Sequence, residues 1–398
     1  MFELMLNLFS SWGIKVPHVF FYLSTRMVMS VLTTLLLTIF CGPFFIRKLY
    51  QLKIGQKIRS SAECPLLAKL HQKKKETPTM GGILILFSMS ISLFLWMDLT
   101  RFYTWALLFV TVGLGIVGGI DDYYKLKYKN SKGIRPKVKM LMQLMISILV
   151  LSPFFISKVQ QSFPSLKIKP MIVKSLEHHE AVFLQENEAY QRLYIPFMKK
   201  PIVFPKTVGT VLIFILGIFV IVGTSNAVNL TDGLDGLAAG CLIMVAAVFA
   251  LFAFLSNHFE LSRYLNLLYI EGSGEIAIYL CAMIGACLGF LWYNGHPAQI
   301  FMGDTGSLAL GGVLGLSSIM LRREILLAVV GGVFVAEALS VILQVLSYRY
   351  RNQKRIFLCS PLHHHFEYKG WPETKVVVRF WIISLLLAFI GIGSIKFQ

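Results

Sequence analysis

Ten stretches of this chain are apolar over about the length that carries a helix across a bilayer, roughly 20 residues. They fall at about 22–46, 80–98, 103–120, 139–157, 207–227, 237–256, 275–293, 305–321, 324–346 and 376–395. Inside lipid, every backbone N–H and C=O needs a partner within the protein, so runs of this length fold as helices. Composition points the same way. Of the 398 residues 56% are hydrophobic and 15% charged, against about 25% charged in soluble domains. The expected fold is all-α: a polytopic integral membrane protein with about ten transmembrane helices. The six cysteines are scattered, several inside spans, so neither a disulfide framework nor a zinc site is expected. No cleavable signal peptide is expected, because Arg26 interrupts the first apolar stretch and no small-residue cleavage pattern follows.

Lys and Arg give the orientation. The loops after the first, third and ninth spans hold nine, seven and six of them, while the loop after the second holds only Arg101. The positive-inside rule places the basic loops in the cytoplasm and both termini outside. The net charge of +18 then reflects cytoplasmic loops, and no nucleic-acid partner is expected. Segment 158–206 also carries eight Lys/Arg, but long loops cross largely regardless of charge. It reads as an external loop insertion in a single transmembrane domain, 1–398. Arg322 and Arg323 fall outside in this topology, against the rule.

The most unusual loop is Asn226 to Ala238, NAVNLTDGLDGLA, between two apolar runs. Asn229, Asp232 and Asp235 recur every three residues, which puts them on one face if the chain coils there. Oxygen ligands beside small residues suit a hard cation or the polar edges of a nucleotide. The plainer alternative is a polar turn with a helix cap at Thr231 or Asp235. Four further clusters stand out: Thr77 to Gly82, Asp121 to Lys125, Asn294 to Ser307, and Pro361 to Glu367. In the expected topology all five lie on the cytoplasmic side, with five of the six Asp residues of the chain. One composite site accounts for that sorting.

Asp121 and Asp122 sit at a span end, where adjacent side chains diverge by about 100°. One can hold a metal while the other faces a substrate; a solvated helix end is the alternative. Gly303-Asp304-Thr305-Gly306-Ser307 opens a span. Glycine lets backbone approach a phosphate and a helix N-terminus favours anions, while an N-cap at Asp304 or Thr305 is the competing reading. His363, His364 and His365 are consecutive, suited to donating to a diphosphate or to acid–base work. Glu337 lies within a span, where a carboxylate is costly and needs a role. Acidic metal ligands, cationic clamps and glycine-lined phosphate positions at a membrane describe phosphoryl transfer between a soluble donor and a lipid.

At these residues the chain resembles the phospho-N-acetylmuramoyl-pentapeptide transferase family, in the polyprenyl-phosphate N-acetylhexosamine-1-phosphate transferase superfamily. The five motifs keep the family's order over about 290 residues. The resemblance implies ten spans in the bacterial cytoplasmic membrane and a cleft facing the cytoplasm. It implies transfer of phospho-MurNAc-pentapeptide from UDP-MurNAc-pentapeptide to undecaprenyl phosphate, giving lipid I and UMP. Mg2+ is the implied cofactor, with Asp304 and Asp232 as metal positions. Asp121, Asp122, Asp304 and His363 match catalytic positions. Lys74, Lys125, Lys137 or Lys139, Asn229, Asp232, Asp235, Asn294, Phe301 and His364 match substrate-binding ones. Members often dimerise, so a homodimer is expected. Glu76 stands where the family usually has glycine, and segment 158–206 is longer than usual.

Three alternatives are weighed beside this one. A sibling UDP-GlcNAc transferase would not be expected to carry the His363–His365 run. A cation-coupled transporter would carry carboxylates near the midplane, where only Glu337 is clearly deep. A non-catalytic scaffold leaves the five polar motifs on one face without a reason.

Overall fold

The computed structural model describes residues 17–51, 77–128, 133–155, 171–174, 181–184 and 191–397. Thirteen α-helices order the described chain: α1 Leu23–Gln51, α2 Gly82–Trp96, α3 Phe102–Lys127, α4 Pro136–Phe155, α5 Lys206–Thr231, α6 Leu237–Ser256, α7 Phe259–Tyr264, α8 Gly274–Asn294, α9 Gly303–Met320, α10 Glu324–Val330, α11 Gly332–Tyr350, α12 Leu362–Tyr368 and α13 Glu373–Gly393. Two small antiparallel pairs, Met171–Lys174 with Ala181–Leu184 and Arg192–Leu193 with Ile202–Val203, add the only strands among the described residues. Both lie between α4 and α5, in the expected insertion.

Among the described residues, eight helices are long and apolar enough to cross a membrane: α1, α3, α4, α5, α6, α8, α11 and α13. Eight of the ten expected spans meet that measure, and two do not. α2 is apolar but only 15 residues long. α9 is diluted by Gly, Ser, Thr and Asp, because it is packed on all sides by protein rather than lipid. The single expected span 324–346 is two helices, α10 and α11, with Gly331 between them.

α9 is the axis of the bundle. Every residue from Thr305 to Met320 is buried, and α3 and α5 make its most extensive contacts. Gly311 and Gly315, one turn apart, let α5 approach closely: a Cβ on either would come within 3.0 Å of the α5 backbone at Ser225 or Ile221. Small residues at that spacing are how helices pack tightly in lipid. α8 seats in the same core against α1 and α6. Outward faces keep large apolar side chains in the open, such as Phe40 on α1 and Phe219 on α5, as expected of surface that meets lipid.

One end of the bundle is tied by buried charge. Arg26 on α1 donates to Glu275 at the start of α8 (3.0 Å) and to the Trp96 carbonyl at the end of α2 (3.1 Å). Arg322 and Arg323, which ran against the topology rule, are buried at this same end. Their side chains face protein, which is why they carry no orientation signal. The polar motifs gather at the opposite end.

Candidate active site

The site begins where α3 meets the start of α9. Gly118 on α3 lets the two backbones touch; a Cβ there would strike the Asp304 carbonyl group. This contact delivers Asp122 to the first turn of α9. One carboxylate oxygen accepts from the Asp304 amide (3.2 Å), the other from the Thr305 amide (3.0 Å) and hydroxyl (2.8 Å). The first amides of a helix have no partner within it, and a carboxylate also opposes the helix dipole. Asp122 thus caps α9 from a neighbouring helix. The competing reading, a cap at Asp304 or Thr305 themselves, is not what the start of α9 shows.

Asp121, the adjacent residue, points elsewhere, as their divergence predicts. Its Oδ2 lies 2.7 Å from Lys125 Nζ and 3.7 Å from Lys139 Nζ, while Oδ1 accepts from the Ile134 amide at 2.8 Å. Asp304, one residue into α9, bridges the same two lysines: Oδ1 is 3.0 Å from Lys125 Nζ and Oδ2 is 2.5 Å from Lys139 Nζ. Asn229, near the end of α5, donates to Asp304 Oδ1 (3.0 Å) and to Ser307 Oγ (2.9 Å). Four helices thus supply one charged cluster. Between the two candidate lysines, Lys139 enters it and Lys137 is exposed beside it.

Asp232 ends α5, and the Gly303 amide donates to its carboxylate. Burial, together with the charges of Asp304 and Asp122, pushes its pKa up to about 8. Burial and like charges both favour its neutral form, and positive charge beside it favours the ionised one.

A second group surrounds the 232–236 turn. Asp235 is buried; its Oδ2 is 3.1 Å from His296 Nδ1 and accepts from the Ala298 amide at 3.1 Å. The Asp235 amide donates to Glu373 at the start of α13 (2.8 Å). Asp235, His296 and Glu373 each offer a ligand atom, all within 4.8 Å of one another. Asn294 accepts from the Gly236 amide (3.0 Å) and donates to the Ile300 carbonyl (2.8 Å), so it pins the turn to the approach to α9. The Thr77–Gly82 stretch lies along that approach. Phe301 donates to the Pro78 carbonyl and accepts from the Gly81 amide, both 2.8 Å. Lys74 and Glu76 lie outside the described residues.

His363 closes the third side. It is 1% exposed, its amide donates to Glu337 Oε1 (3.1 Å) and its Nδ1 is 3.2 Å from Glu337 Oε2. Glu337, the deep carboxylate of α11, therefore holds the start of α12. The imidazole Nε2 faces Gly233, where a Cβ would collide with it. His364 turns to Glu367, 2.7 Å away, and its ring centroid is 4.2 Å from that of His363.

Glu373, His296, Thr305 and Ser307 were not among the expected site residues. His296 and Ser307 stood inside quoted motifs, so the signal was there. Glu373 had none, since its link to the 232–236 turn spans 138 residues.

Comparison with known proteins bears on this arrangement. The sequence pattern of Glycosyl transferase family 4 matches residues 104–322. That of phospho-N-acetylmuramoyl-pentapeptide-transferase signature 1 matches residues 74–86. A phospho-N-acetylmuramoyl-pentapeptide-transferase of Protochlamydia amoebophila is 60% identical over 399 aligned residues, covering 97% of each chain. One of Desulfotalea psychrophila is 45% identical over 382, covering 96% of each.

Proposed function

The chain belongs to the phospho-N-acetylmuramoyl-pentapeptide-transferase family, and on that premise we propose how its polar end performs the transfer. The phosphate oxygen of undecaprenyl phosphate attacks the sugar-bearing phosphorus of UDP-MurNAc-pentapeptide. The bond to the bridging oxygen breaks, UMP leaves, and phospho-MurNAc-pentapeptide remains on the lipid as lipid I. The observation that carries this reading is the cluster of Asp121, Asp304, Lys125 and Lys139 on facing helices.

Lys125 and Lys139 supply ammonium groups for the donor diphosphate. Each now answers a carboxylate, so a diphosphate entering here needs further positive charge. Asp304 and Asp232 are oxygen donors of the kind a hard divalent cation takes, and burial, then the charges of Asp304 and Asp122, raise the pKa of Asp232, a cost that a bound cation would offset. The residues fit Mg2+, with Asp304 and Asp232 holding it. When bound, that ion neutralises charge developing on the phosphate oxygens. Asp122 is committed to the α9 amides, so of the adjacent pair Asp121 is the one we assign to take the acceptor's proton. His363, fixed by Glu337 and aimed at the Gly233 turn, is placed to donate to a phosphate oxygen, and we add His364 beside it.

Asp235 and Asn294 shape the turn that receives the nucleoside, and Phe301 lends its ring. We assign the site to the cytoplasmic face on the asymmetry of Lys and Arg, the chain to one domain in the bacterial inner membrane, and its assembly to a homodimer. The test is UMP release by purified protein given undecaprenyl phosphate and a panel of UDP-sugars. UDP-MurNAc-pentapeptide should be used and UDP-N-acetylglucosamine should not; the reverse preference overturns the assignment.

A further inference from the structure

The end of α9 remote from the site holds buried positive charge in excess of its carboxylate partners among the described residues. Arg322 and Arg323 follow the helix and are 0% and 3% exposed. Arg322 is bonded: Nη1 donates to Glu324 Oε1 and Nη2 to the Arg192 carbonyl, both 2.6 Å. Arg323 lies over the rings of Tyr194 and Phe252, at 5.3 and 5.5 Å from their centroids. Its buried Nη1 has no hydrogen-bond partner among the described residues. Cation–π contacts offset only part of the cost of burying a guanidinium.

The segment that crosses this end repeats the pattern. Arg192 Nε and Gln191 Nε2 are also buried donors without a hydrogen-bond partner among the described residues. Burial raises the pKa of the Tyr194 hydroxyl, and the nearby positive charges of Arg323, Arg192 and Arg322 oppose that rise. Glu324 is the carboxylate beside Arg322 and Arg323. Three positive groups against one negative, with stranded N–H donors, call for an anion rich in acceptors.

We propose that this cluster binds a phosphate group. A guanidinium matches phosphate oxygens two at a time. The group comes from an anionic phospholipid headgroup or from free phosphate. The spare Glu324 Oε2 suits a hydroxyl on either. The cluster stands at the end of the bundle, where headgroups meet a membrane protein, and Arg192 and Tyr194 leave it partly open.

Delipidated full-length protein in detergent is titrated separately with phosphatidylglycerol, phosphatidylcholine, sodium phosphate and sodium chloride. The salts are matched in ionic strength, and native mass spectrometry and thermal unfolding report binding. Wild type should favour phosphatidylglycerol over phosphatidylcholine, or phosphate over chloride; which pair differs identifies the source. Arg323→Gln should weaken that ligand at least about 10-fold, the scale of one charge-assisted hydrogen bond. Without ligand it should unfold no earlier than wild type, since a buried charge with an unpartnered N–H is gone. Arg192→Gln, at a half-exposed position, tests the same cluster should Arg323→Gln not fold. Absence of either preference in wild type overturns the proposal, as does undiminished binding by the folded variants.

Discussion

Asp122→Ala removes an acceptor shared by three donors: the Asp304 amide, the Thr305 amide and the Thr305 hydroxyl. Losing an N-cap costs about 1 kcal/mol, up to ~2. A buried donor left without a partner adds about 1–3 kcal/mol. The Thr305 hydroxyl can rotate to another acceptor; its amide is fixed by α9 and cannot. One cap plus one stranded amide gives about 2–4 kcal/mol in total. Asp122→Asn keeps an acceptor and loses the charge that favours a helix N-terminus, about 0.3–1 kcal/mol. Asp121→Asn touches no cap, because its oxygens face Lys125 and the Ile134 amide. Thermal unfolding of the purified variants should therefore rank Asp122→Ala lowest, Asp122→Asn next and Asp121→Asn near wild type. All three should lose UMP release. An Asp122→Ala protein that unfolds with wild type yet turns over nothing would refute the capping argument and return Asp122 to the reacting groups.

The same geometry separates other neighbours. Lys139→Gln should slow turnover at least about 10-fold by removing a charge-assisted contact, and Lys137→Gln should leave steady-state rates near wild type; equal losses would mean the cluster does not select Lys139. Gly233→Ala should reduce turnover by pushing His363 Nε2 aside, whereas Gly223→Ala, with nothing within 4 Å of its Cβ, should not, and the two variants are compared in one UMP assay. For topology, single cysteines near 65, 130 and 356 should be shielded from an impermeant thiol reagent in intact cells and one near 180 labelled; labelling at 130 would break the one-sided site.

The bundle was legible because apolar length is a local property, readable without knowing the neighbours. It was less plain where protein replaces lipid. α9 needs no apolar surface because α3 and α5 enclose it, and Gly331 splits a run whose hydrophobicity reads as continuous. Asp121 and Asp304 were legible as parts of one site from the sorting of polar motifs to one face, and Lys125 from the family resemblance; ion pairs bring the three together. The division of labour between Asp121 and Asp122 was not. It depends on which face of α3 meets α9, and that is fixed by Gly118 against a residue 186 positions further on. Choosing Lys139 over Lys137 likewise needed the direction of the first turn of α4. The role of Glu337 was hidden because its partner, the His363 amide, carries no sequence signature.

The central claim is that one cluster at one end of the bundle carries the transfer, with Asp304 at its centre. It is tested most directly by UMP release from UDP-MurNAc-pentapeptide and undecaprenyl phosphate, measured for wild type and Asp304→Asn across a magnesium titration. Asn keeps the shape and the Asn229 neighbour but drops the charge that answers Lys125 and Lys139. The account predicts a folded variant slower by at least about 100-fold, the scale of one catalytic electrostatic contact, with partial recovery at high magnesium. Near-normal turnover by Asp304→Asn at low magnesium would contradict it.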